Sequence, residues 1–212
     1  MAKSLRCSGF GMKRAIDIGG SVLFLVLFSP LLSLVAVLIK LETVGPVFFF
    51  QERIGRNFNP FEIIKFRTMV VDGRQADSCL TVAGDSRITR MGRFLRRFKL
   101  DELPQLVNVV KGEMSLVGPR PEVRKYVELK QSDYAVILTV RPGMTDPASL
   151  QYFDEEITLA SAGDAEQEYV RRILPRKLEL SKEYLRNASL GGDLWIIVKT
   201  LLILGRTSVA ST

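Results

Sequence analysis

The sequence predicts a membrane-associated α/β protein with one globular domain, and three observations support this prediction. An uncharged apolar run covers residues 18–39, strand-like patterns follow it, and amphipathic helical patterns dominate the remainder. A chain of 212 residues can bury one ordinary core but has little room for two. We therefore expect a tail over 1–12, a membrane helix over 13–40, a cytoplasmic domain over 41–205 and a C-terminal tail over 206–212.

The composition limits the chemistry that the chain can perform. Lys and Arg total 30 against 23 Asp and Glu, and the net charge of +7 favours an anionic partner such as nucleic acid, membrane headgroups or a phosphorylated substrate. The absence of histidine excludes the usual serine-hydrolase triad and histidine-containing metal sites, so acid–base chemistry is expected from carboxylates. Cys7 and Cys79 are too few for a zinc cluster and fit a reducing, cytoplasmic setting.

The apolar run is long enough to enter or cross a membrane. Its length of about 22 residues matches a hydrocarbon core of ~30 Å at 1.5 Å per residue. It exceeds the usual apolar region of a signal peptide and lacks a small-residue cleavage site before Lys40, so we expect no cleavage. Pro30 predicts a kink at Ser29-Pro30, where the Ser29 hydroxyl can reach the carbonyls that the proline frees.

Basic residues flank the apolar run on both sides, which marks both flanks as cytoplasmic. They are Lys3, Arg6, Lys13 and Arg14 before the run, and Lys40, Arg53, Arg56, Lys65 and Arg67 after it. A helix that bends at Ser29-Pro30 and leaves on the face where it entered satisfies both the charge pattern and the proline. On these residues alone, the re-entrant helix and a kinked single span both stay open.

The segment after the run predicts a β-hairpin followed by a basic amphipathic helix. Residues 47–51 and 61–66 have strand character and are joined by a turn that contains Gly and Asn. Within 88–98, apolar residues recur at helical spacing and arginines occupy the other face. Next to a membrane segment, we expect this helix to lie in the headgroup layer rather than to present a solvated face over a core.

Two further helices are predicted near the C-terminus. Residues 163–186 have a helical pattern with a break near Pro175. The apolar stretch 190–204 is short for a membrane span and contains Asp193 and Lys199. It is therefore expected at the membrane interface or packed on the core.

Two adjacent carboxylates, Asp101 and Glu102, are the candidate reactive groups. In one interpretation Asp101 is the N-cap of a helix that opens at Glu102, with Pro104 tolerated in its first turn. In the other, the helix-terminal N–H groups and Arg96 or Arg97 keep the pair ionised, and the pair holds Mg²⁺ together with phosphate oxygens. The spacing alone leaves both interpretations open.

Five sequence blocks occur in a fixed order along most of the chain. They are KRAIDIGGSVLFLVLFSP, GPVFFFQERIGRN, IIKFRTM, LDELPQLVNVVKGEMSLVGPRPE and VRPGMT. Together, from about Lys13 to Gly205, they resemble the bacterial sugar transferase family, the monotopic phosphoglycosyl transferases. The resemblance implies a re-entrant helix broken at Ser29-Pro30 in the bacterial inner membrane, with the catalytic domain on its cytoplasmic face.

The resemblance also implies an activity and its reactive residues. The activity is transfer of a sugar 1-phosphate from a UDP-sugar to polyprenyl (undecaprenyl) phosphate with release of UMP, the first membrane step of glycan assembly. Asp101 is implied to attack the β-phosphorus and to carry a covalent phosphosugar, with Glu102 completing the pair. Mg²⁺ on the two carboxylates would offset charge on the diphosphate.

Four basic residues are assigned to phosphate binding with the help of the resemblance. Arg96 and Arg120 match family arginines, and a planar guanidinium can pair bidentately with phosphate oxygens. Headgroup contact is the alternative for Arg96, and a structural role is the alternative for Arg120. Of the two basic residues in the IIKFRTM block, we take Lys65 as the site residue and Arg67 as a surface charge.

Two departures from the family pattern bear on substrate choice. Many members continue the PG-x-T turn with glycine and an aromatic residue, whereas this chain has Thr145-Asp146-Pro147. A family aspartate three positions before a tyrosine corresponds to Ser181 before Tyr184. The sequence therefore leaves the choice of sugar open.

The expected partners are a UDP-sugar, polyprenyl phosphate and a phospholipid bilayer, and the resemblance is compatible with a homodimer. Nucleic acid is not an expected partner. The rival interpretation is a membrane-bound scaffold or a basic nucleic-acid binder in which Asp101 only caps a helix. Nucleic-acid binding would give salt-dependent retention on DNA or RNA without turnover.

Overall fold

The computed structural model describes residues 8–70 and 80–209, in which helices predominate. The helices are α1 Ser8–Glu42, α2 Arg90–Arg97, α3 Gln105–Lys111, α4 Arg124–Leu129, α5 Gln131–Ile137, α6 Pro147–Gln151, α7 Glu155–Ala160, α8 Ala165–Glu168, α9 Leu174–Asn187 and α10 Leu190–Val209. The strands are β1 Phe48–Ile54, β2 Pro60–Phe66, β3 Ser115–Val117 and β4 Gly143–Thr145. The predicted mixture of helix and strand is confirmed, although the sheets are small. Lys3, Arg6, Cys7 and Cys79 lie outside the described residues.

Helix α1 contains the predicted membrane segment and continues through Pro30. It begins at Ser8, before the predicted start at residue 13, and ends at Glu42. Among the described residues, one helix segment, Gly11–Glu42, is long and apolar enough to cross a membrane. The Ser29 hydroxyl donates to the carbonyl of Val26 at 2.8 Å. This is the carbonyl that Pro30 leaves without its usual backbone donor. The Ser29 hydroxyl therefore replaces the backbone hydrogen bond that Pro30 cannot make, as predicted. The re-entrant path of α1 stays a prediction.

Both halves of α1 pack against the globular domain. In the first half, the buried Asp17 carboxylate accepts from the Ser115 hydroxyl at 2.8 Å and from the Leu116 amide at 3.1 Å. In the second half, Val35 and Ile39 join a buried cluster with β2 and α2. The exposed apolar side chains between these contacts are Val22, Leu23, Phe24, Val26, Leu27, Leu31 and Leu34.

The predicted hairpin is confirmed and forms one wall of the domain. β1 and β2 pair antiparallel from Phe48 opposite Phe66 to Ile54 opposite Pro60. The first strand is longer than predicted, because pairing continues to the turn. Ile63 packs with Val109 and Met114, whereas Phe66, three residues later and on the other face, packs with Val35, Ile39 and Leu95. Both faces of β2 therefore contribute to buried clusters.

A second sheet joins β3 and β4 in parallel, through residues distant in sequence. The start of β4 lies very close to the residue that follows β3, because a Cβ atom added to Gly143 would lie 2.1 Å from the amide nitrogen of Gly118. Only glycine therefore permits this approach of the two backbones. The segments that follow β3 and β4 both begin at the same edge of this sheet. Arg120 lies in the first segment and Asp146 in the second.

The C-terminal helices close the main core. The predicted helix break near Pro175 is wrong, because a π-helical turn, Tyr169–Ile173, leads directly into α9 and Pro175 lies in the first turn of α9, where a proline is tolerated. The helix type changes there, but the chain stays helical. α10 packs partly on the domain through Ile196, as expected, while Trp195 on the same helix is exposed. The largest buried cluster contains Ile54, Val123, Tyr126, Val127, Tyr134, Ile137, Leu138, Leu159, Tyr169, Ile173, Leu174 and Leu178.

Candidate functional site

A cavity of about 620 Å³ lies between the hairpin, α2, the end of β4 and the C-terminal helices. Every basic and acidic residue that the sequence assigned to the site lines it. These residues are Lys65, Arg67, Arg96, Asp101, Glu102 and Arg120. The fold thus brings together residues from four separate segments of the chain.

The acidic pair lies in a tight turn rather than at the start of an α-helix. Asp101 and Glu102 belong to a 3₁₀ turn, Leu100–Glu102, and Lys99 before it has a positive φ of 52°. α3 begins only at Gln105. The prediction that Asp101 caps a helix opening at Glu102 is therefore wrong. The chain first closes i to i+3 hydrogen bonds, such as the 3.2 Å bond from the Glu102 amide to the Lys99 carbonyl.

Asp101 is buried and keeps one oxygen without a partner. Its side chain is 7% exposed, and its Oδ1 has no hydrogen-bond partner among the described residues. Burial raises the pKa of Asp101, and the negative charge of Glu102 raises it further. Asp101 is thus a poorly solvated carboxylate, which suits a nucleophile better than a structural anchor.

Glu102, in contrast, is fully engaged with two cations. Its Oε1 accepts from Lys65 Nζ at 2.8 Å and also from Arg120 Nη2, and its Oε2 accepts from Arg120 Nη1 at 3.1 Å. Burial alone would raise the pKa of Glu102, but the charges of Arg120 and Lys65 outweigh this effect and hold that pKa well below its usual range. Glu102 is therefore an ionised anchor for both cations.

The two cations respond differently to this shared environment. Burial lowers the pKa of Lys65, although the charge of Glu102 opposes that shift. The charge of Glu102 raises the pKa of Arg120, so its guanidinium stays charged. The structure places Lys65 at the acidic pair, as the sequence analysis chose.

Arg67 has a different role from the surface charge that the sequence analysis predicted. It is buried, and its guanidinium donates to the Thr43 carbonyl at 2.8 Å, the Thr43 hydroxyl at 2.7 Å and the Val44 carbonyl at 3.0 Å. The prediction of a surface charge is wrong, because the chain that leaves α1 crosses the end of β2 and covers this side chain. Both terminal nitrogens of Arg67 are hydrogen-bonded to the segment that leaves α1. Lys65 is therefore better placed than Arg67 to bind phosphate.

Arg96 reaches the cavity from α2 and is paired with a residue that the sequence analysis missed. Its Nε donates to the Thr68 hydroxyl at 2.9 Å and its Nη1 donates to Glu156 Oε1 at 2.8 Å. α2 lies against the backbone of Thr68, since a Cβ added to Gly92 would approach the Thr68 carbonyl oxygen to 2.0 Å. The acidic run 154–156 was the available sequence signal for Glu156, but only the tertiary fold pairs it with α2.

Both departures from the family pattern lie in the same cavity. Asp146 and Ser181 are buried and line it. Asp146 is the N-cap of α6, where its Oδ1 accepts from the Ser149 amide at 2.7 Å. Ser181 lies on α9, which packs against α6. The expectation that these positions bear on the substrate thus has a structural basis.

The donor set fits the predicted Mg²⁺ only in part. Asp101 Oδ1 is a buried carboxylate oxygen without a partner among the described residues, and Mg²⁺ often binds one carboxylate together with substrate phosphates. Both oxygens of Glu102 already accept hydrogen bonds from Lys65 and Arg120. No cluster of three or more acidic or cysteine side chains that could hold a metal occurs in residues 8–70 and 80–209. In this arrangement, Asp101 is therefore the only member of the pair with an oxygen available to the ion.

The family model described as bacterial sugar transferase matches residues 8–207. A UDP-N-acetylgalactosamine-undecaprenyl-phosphate N-acetylgalactosaminephosphotransferase from Aeromonas hydrophila is 39% identical over 193 residues, which cover 90% of this chain and 43% of that protein. An undecaprenyl-phosphate glucose phosphotransferase from Komagataeibacter xylinus is 40% identical over 196 residues, which cover 89% of this chain and 35% of that protein.

A third relative is covered over a larger share of its own length. The UDP-glucose:undecaprenyl-phosphate glucose-1-phosphate transferase from Caulobacter vibrioides is 38% identical over 192 residues, which cover 89% of this chain and 68% of that protein. The chain thus spans less than half the length of the Aeromonas and Komagataeibacter relatives and about two thirds of the Caulobacter relative.

Proposed function

The chain belongs to the bacterial sugar transferase family, and we propose that it transfers a sugar 1-phosphate from a UDP-sugar to polyprenyl phosphate. The names of the three relatives share undecaprenyl phosphate, although they differ in the sugar. We extend the acceptor to this chain and leave the sugar to the experiment below. The reaction would be the first membrane step of glycan assembly.

One observation carries the proposal: two adjacent buried carboxylates have opposite environments. Glu102 is neutralised by Lys65 and Arg120, whereas Asp101 keeps Oδ1 without a partner among the described residues. An available carboxylate oxygen beside fixed cations is the combination that nucleophilic attack on a phosphate ester requires. Arg96 completes the set, because a phosphate can replace the partly exposed Glu156 carboxylate as its partner.

The proposed reaction has two displacements at the β-phosphorus. First, a carboxylate oxygen of Asp101 bonds to phosphorus, and the bond to the bridging oxygen breaks, so UMP leaves with that electron pair. Second, a phosphate oxygen of polyprenyl phosphate attacks the same phosphorus, and Asp101 leaves as a carboxylate. The covalent step divides one difficult transfer between two anionic partners into two easier ones.

The cations of the site would act by binding and orientation. Arg120 and Lys65 lie next to Asp101 through Glu102, where they can bind phosphate oxygens as charge moves to the leaving group. Mg²⁺ bound to Asp101 and the diphosphate would supply further charge neutralisation. Glu102 positions Lys65 and Arg120 rather than reacting itself.

We also propose that α1 enters the bilayer and returns to the same face. Ser21 is fully buried and Val35 is 5% exposed, so both ends of the apolar run contact the domain. The stretch 22–34 between them is about 20 Å long at 1.5 Å per residue. This is shorter than a hydrocarbon core of ~30 Å. The basic flanks support the same-face arrangement, with the domain at the cytoplasmic side of the inner membrane.

A panel of UDP-sugars tests the proposal. Purified protein in detergent with Mg²⁺ and undecaprenyl phosphate is expected to release UMP from at least one donor. Asp101→Asn should remove this release, because an amide is not a nucleophile here, while circular dichroism and melting temperature show an intact fold. Full activity of Asp101→Asn, or release of UMP from no donor by the wild-type protein, would contradict the proposed function.

A further inference from the structure

Asp146 stands at the cavity edge that also carries Arg120. Because β3 and β4 run parallel, the chain leaves both strands at the same end, and the Gly118 amide donates to the Thr145 carbonyl at 3.0 Å there. Arg120 follows β3 and Asp146 follows β4 directly. Asp146 thus lines the cavity, and its charge acts on Arg120, the cation that holds Glu102. The other acidic residues that line the cavity are Asp101, Glu102, Glu122, Glu155 and Glu156.

The two oxygens of Asp146 have different surroundings. Oδ1 accepts from the Ser149 amide at 2.7 Å and from the Ser149 hydroxyl at 2.6 Å, which accounts for its role as N-cap. Oδ2 is buried and finds no donor in the part of the chain that the structure describes. The whole residue is 0% exposed. A buried carboxylate oxygen without a donor is unusual enough to require an explanation.

We propose that Asp146 Oδ2 accepts a hydrogen bond from the sugar of the donor, from a ring hydroxyl or an acetamido N–H, and so determines which sugar is transferred. This inference rests on the proposed function. Asp146 is a specificity-determining residue in this view, while Asp101 performs the chemistry.

The charge of Asp146 favours a sugar over the other groups of a nucleotide sugar. Five other acidic residues already line the cavity, and the carboxylate of Asp146 would add to their repulsion of a phosphate that approached it closely. A neutral O–H or N–H group has the opposite preference, because it donates to a carboxylate in a short, charge-assisted hydrogen bond. Since only Oδ2 is available, Asp146 would recognise a single donor group.

Asp146→Ser separates this role from the capping role. Serine is an equally good N-cap, so α6 keeps its first hydrogen bond, but the second oxygen is lost. Asp164 provides the matched control, because it caps α8 by accepting from the Gln167 amide at 3.0 Å and is exposed. Asp164→Ser should leave donor selectivity unchanged. Asp146→Asn, which also retains the cap, serves if the serine variant does not fold.

The measurement is kcat/KM for the preferred UDP-sugar and for analogues that each lack one sugar hydroxyl or the acetamido group. With wild-type protein, one analogue should react about 10- to 100-fold more slowly, the effect of losing one hydrogen bond to a charged group. In Asp146→Ser this difference should vanish, while the other analogues keep their relative rates. Inhibition by UMP should be unchanged.

Unaltered discrimination by Asp146→Ser and Asp146→Asn would overturn the inference and leave the proposed function intact. An equal loss for every donor, with weaker UMP inhibition, would also overturn it, because the contact would then be to the nucleotide. Failure of the wild-type protein to use any UDP-sugar would instead reject the proposed function and this inference with it.

Discussion

Glu102 and its two cations explain how a buried acidic pair can exist in this fold. A carboxylate is stable in a buried site only when it is paired and hydrogen-bonded, and Glu102 has both Lys65 and Arg120. Asp101 lacks such a partner at Oδ1, and its raised pKa reflects that difference. The pair therefore divides into one carboxylate anchored by two cations and one with an oxygen that lacks a partner among the described residues, although both are next to each other in sequence.

We expect the activity to depend on the geometry of the Arg120 guanidinium more than on its positive charge. Its guanidinium donates to the two oxygens of Glu102 from two separate nitrogens, a parallel geometry that the single nitrogen of a lysine ammonium cannot reproduce. Arg120→Lys should lower kcat/KM by about 100-fold. Arg124→Lys is the control, because Arg124 pairs with Glu52 at the exposed surface and should retain activity. Equal activities of the two variants would show that bidentate geometry at Arg120 is unimportant.

The raised pKa of Asp101 predicts a pH dependence. A nucleophilic carboxylate must be ionised, so activity should fall as the pH decreases through the pKa of Asp101. Burial and the charge of Glu102 raise this pKa, so the fall should occur above the ordinary aspartate value of about 3.9. Initial rates in buffers of constant ionic strength measure the profile, and circular dichroism at each pH excludes unfolding. Undiminished activity down to about pH 4 would contradict the expected shift.

The same shift has an effect on stability with a defined sign. The pKa of Asp101 is higher in the folded chain than in the unfolded chain, so its ionisation costs folding free energy once the pH exceeds the unfolded pKa. The destabilisation is absent at low pH and complete above the folded pKa. This residue thus reduces stability at neutral pH, which is the cost expected of a residue kept for the proposed chemistry.

Among the elements, α1 decides how the domain meets the membrane. Its two ends contact the domain while its middle exposes apolar side chains to the surroundings. The hydroxyl of Ser29 supplies a donor for the Val26 carbonyl, which lowers the cost of a proline within an apolar helix. The helix can therefore accept Pro30 without unravelling.

Cysteine labelling tests the path of α1. In a background without Cys7 and Cys79, Met12→Cys and Leu41→Cys replace exposed residues on either side of the apolar middle. Both should react with a membrane-impermeant maleimide only from the cytoplasmic side. Leu27→Cys should be protected from either side, since the bilayer would cover it. Labelling of Met12→Cys and Leu41→Cys from opposite sides would establish a span instead.

Local elements could be predicted from the sequence because their patterns are local. The hairpin followed from two strand-like runs around a turn, and α2 followed from its helical apolar spacing. The start of α3 was wrong, because the spacing does not distinguish a 3₁₀ turn followed by a helix from one continuous helix. Strands as short as β3 and β4 carry too little pattern to be found, and their pairing joins distant segments.

The sequence could not predict which residues distant along the chain would contact each other in the site. The pairing of Arg96 with Glu156 and the burial of Arg67 both depend on chain crossings that no local pattern encodes. Asp146 was noticed as a departure from the family pattern, but its buried, unpartnered oxygen became visible only in the fold. The residue types therefore indicated which chemistry the site could perform, whereas the contacts of each site residue became known only from the tertiary structure.

At the scale of the whole molecule, the site depends on α2, the turn Leu100–Glu102, the chain after β3 and the hairpin, all held on one domain. This domain matches the family model from residue 8 to residue 207, while the Aeromonas and Komagataeibacter relatives are more than twice as long as the matched segment. We expect the transfer chemistry to reside in this shared segment.

Intact-protein mass spectrometry of the wild-type chain and Asp101→Asn, incubated with the preferred UDP-sugar but without polyprenyl phosphate, examines the covalent step. We expect the wild-type protein to gain the mass of one sugar phosphate as UMP is released, and peptide mapping to place the added mass on Asp101. Addition of polyprenyl phosphate should remove the adduct, and Asp101→Asn should never form it. Product formation at the wild-type rate without any adduct, or an adduct on another residue, would contradict Asp101 as the nucleophile.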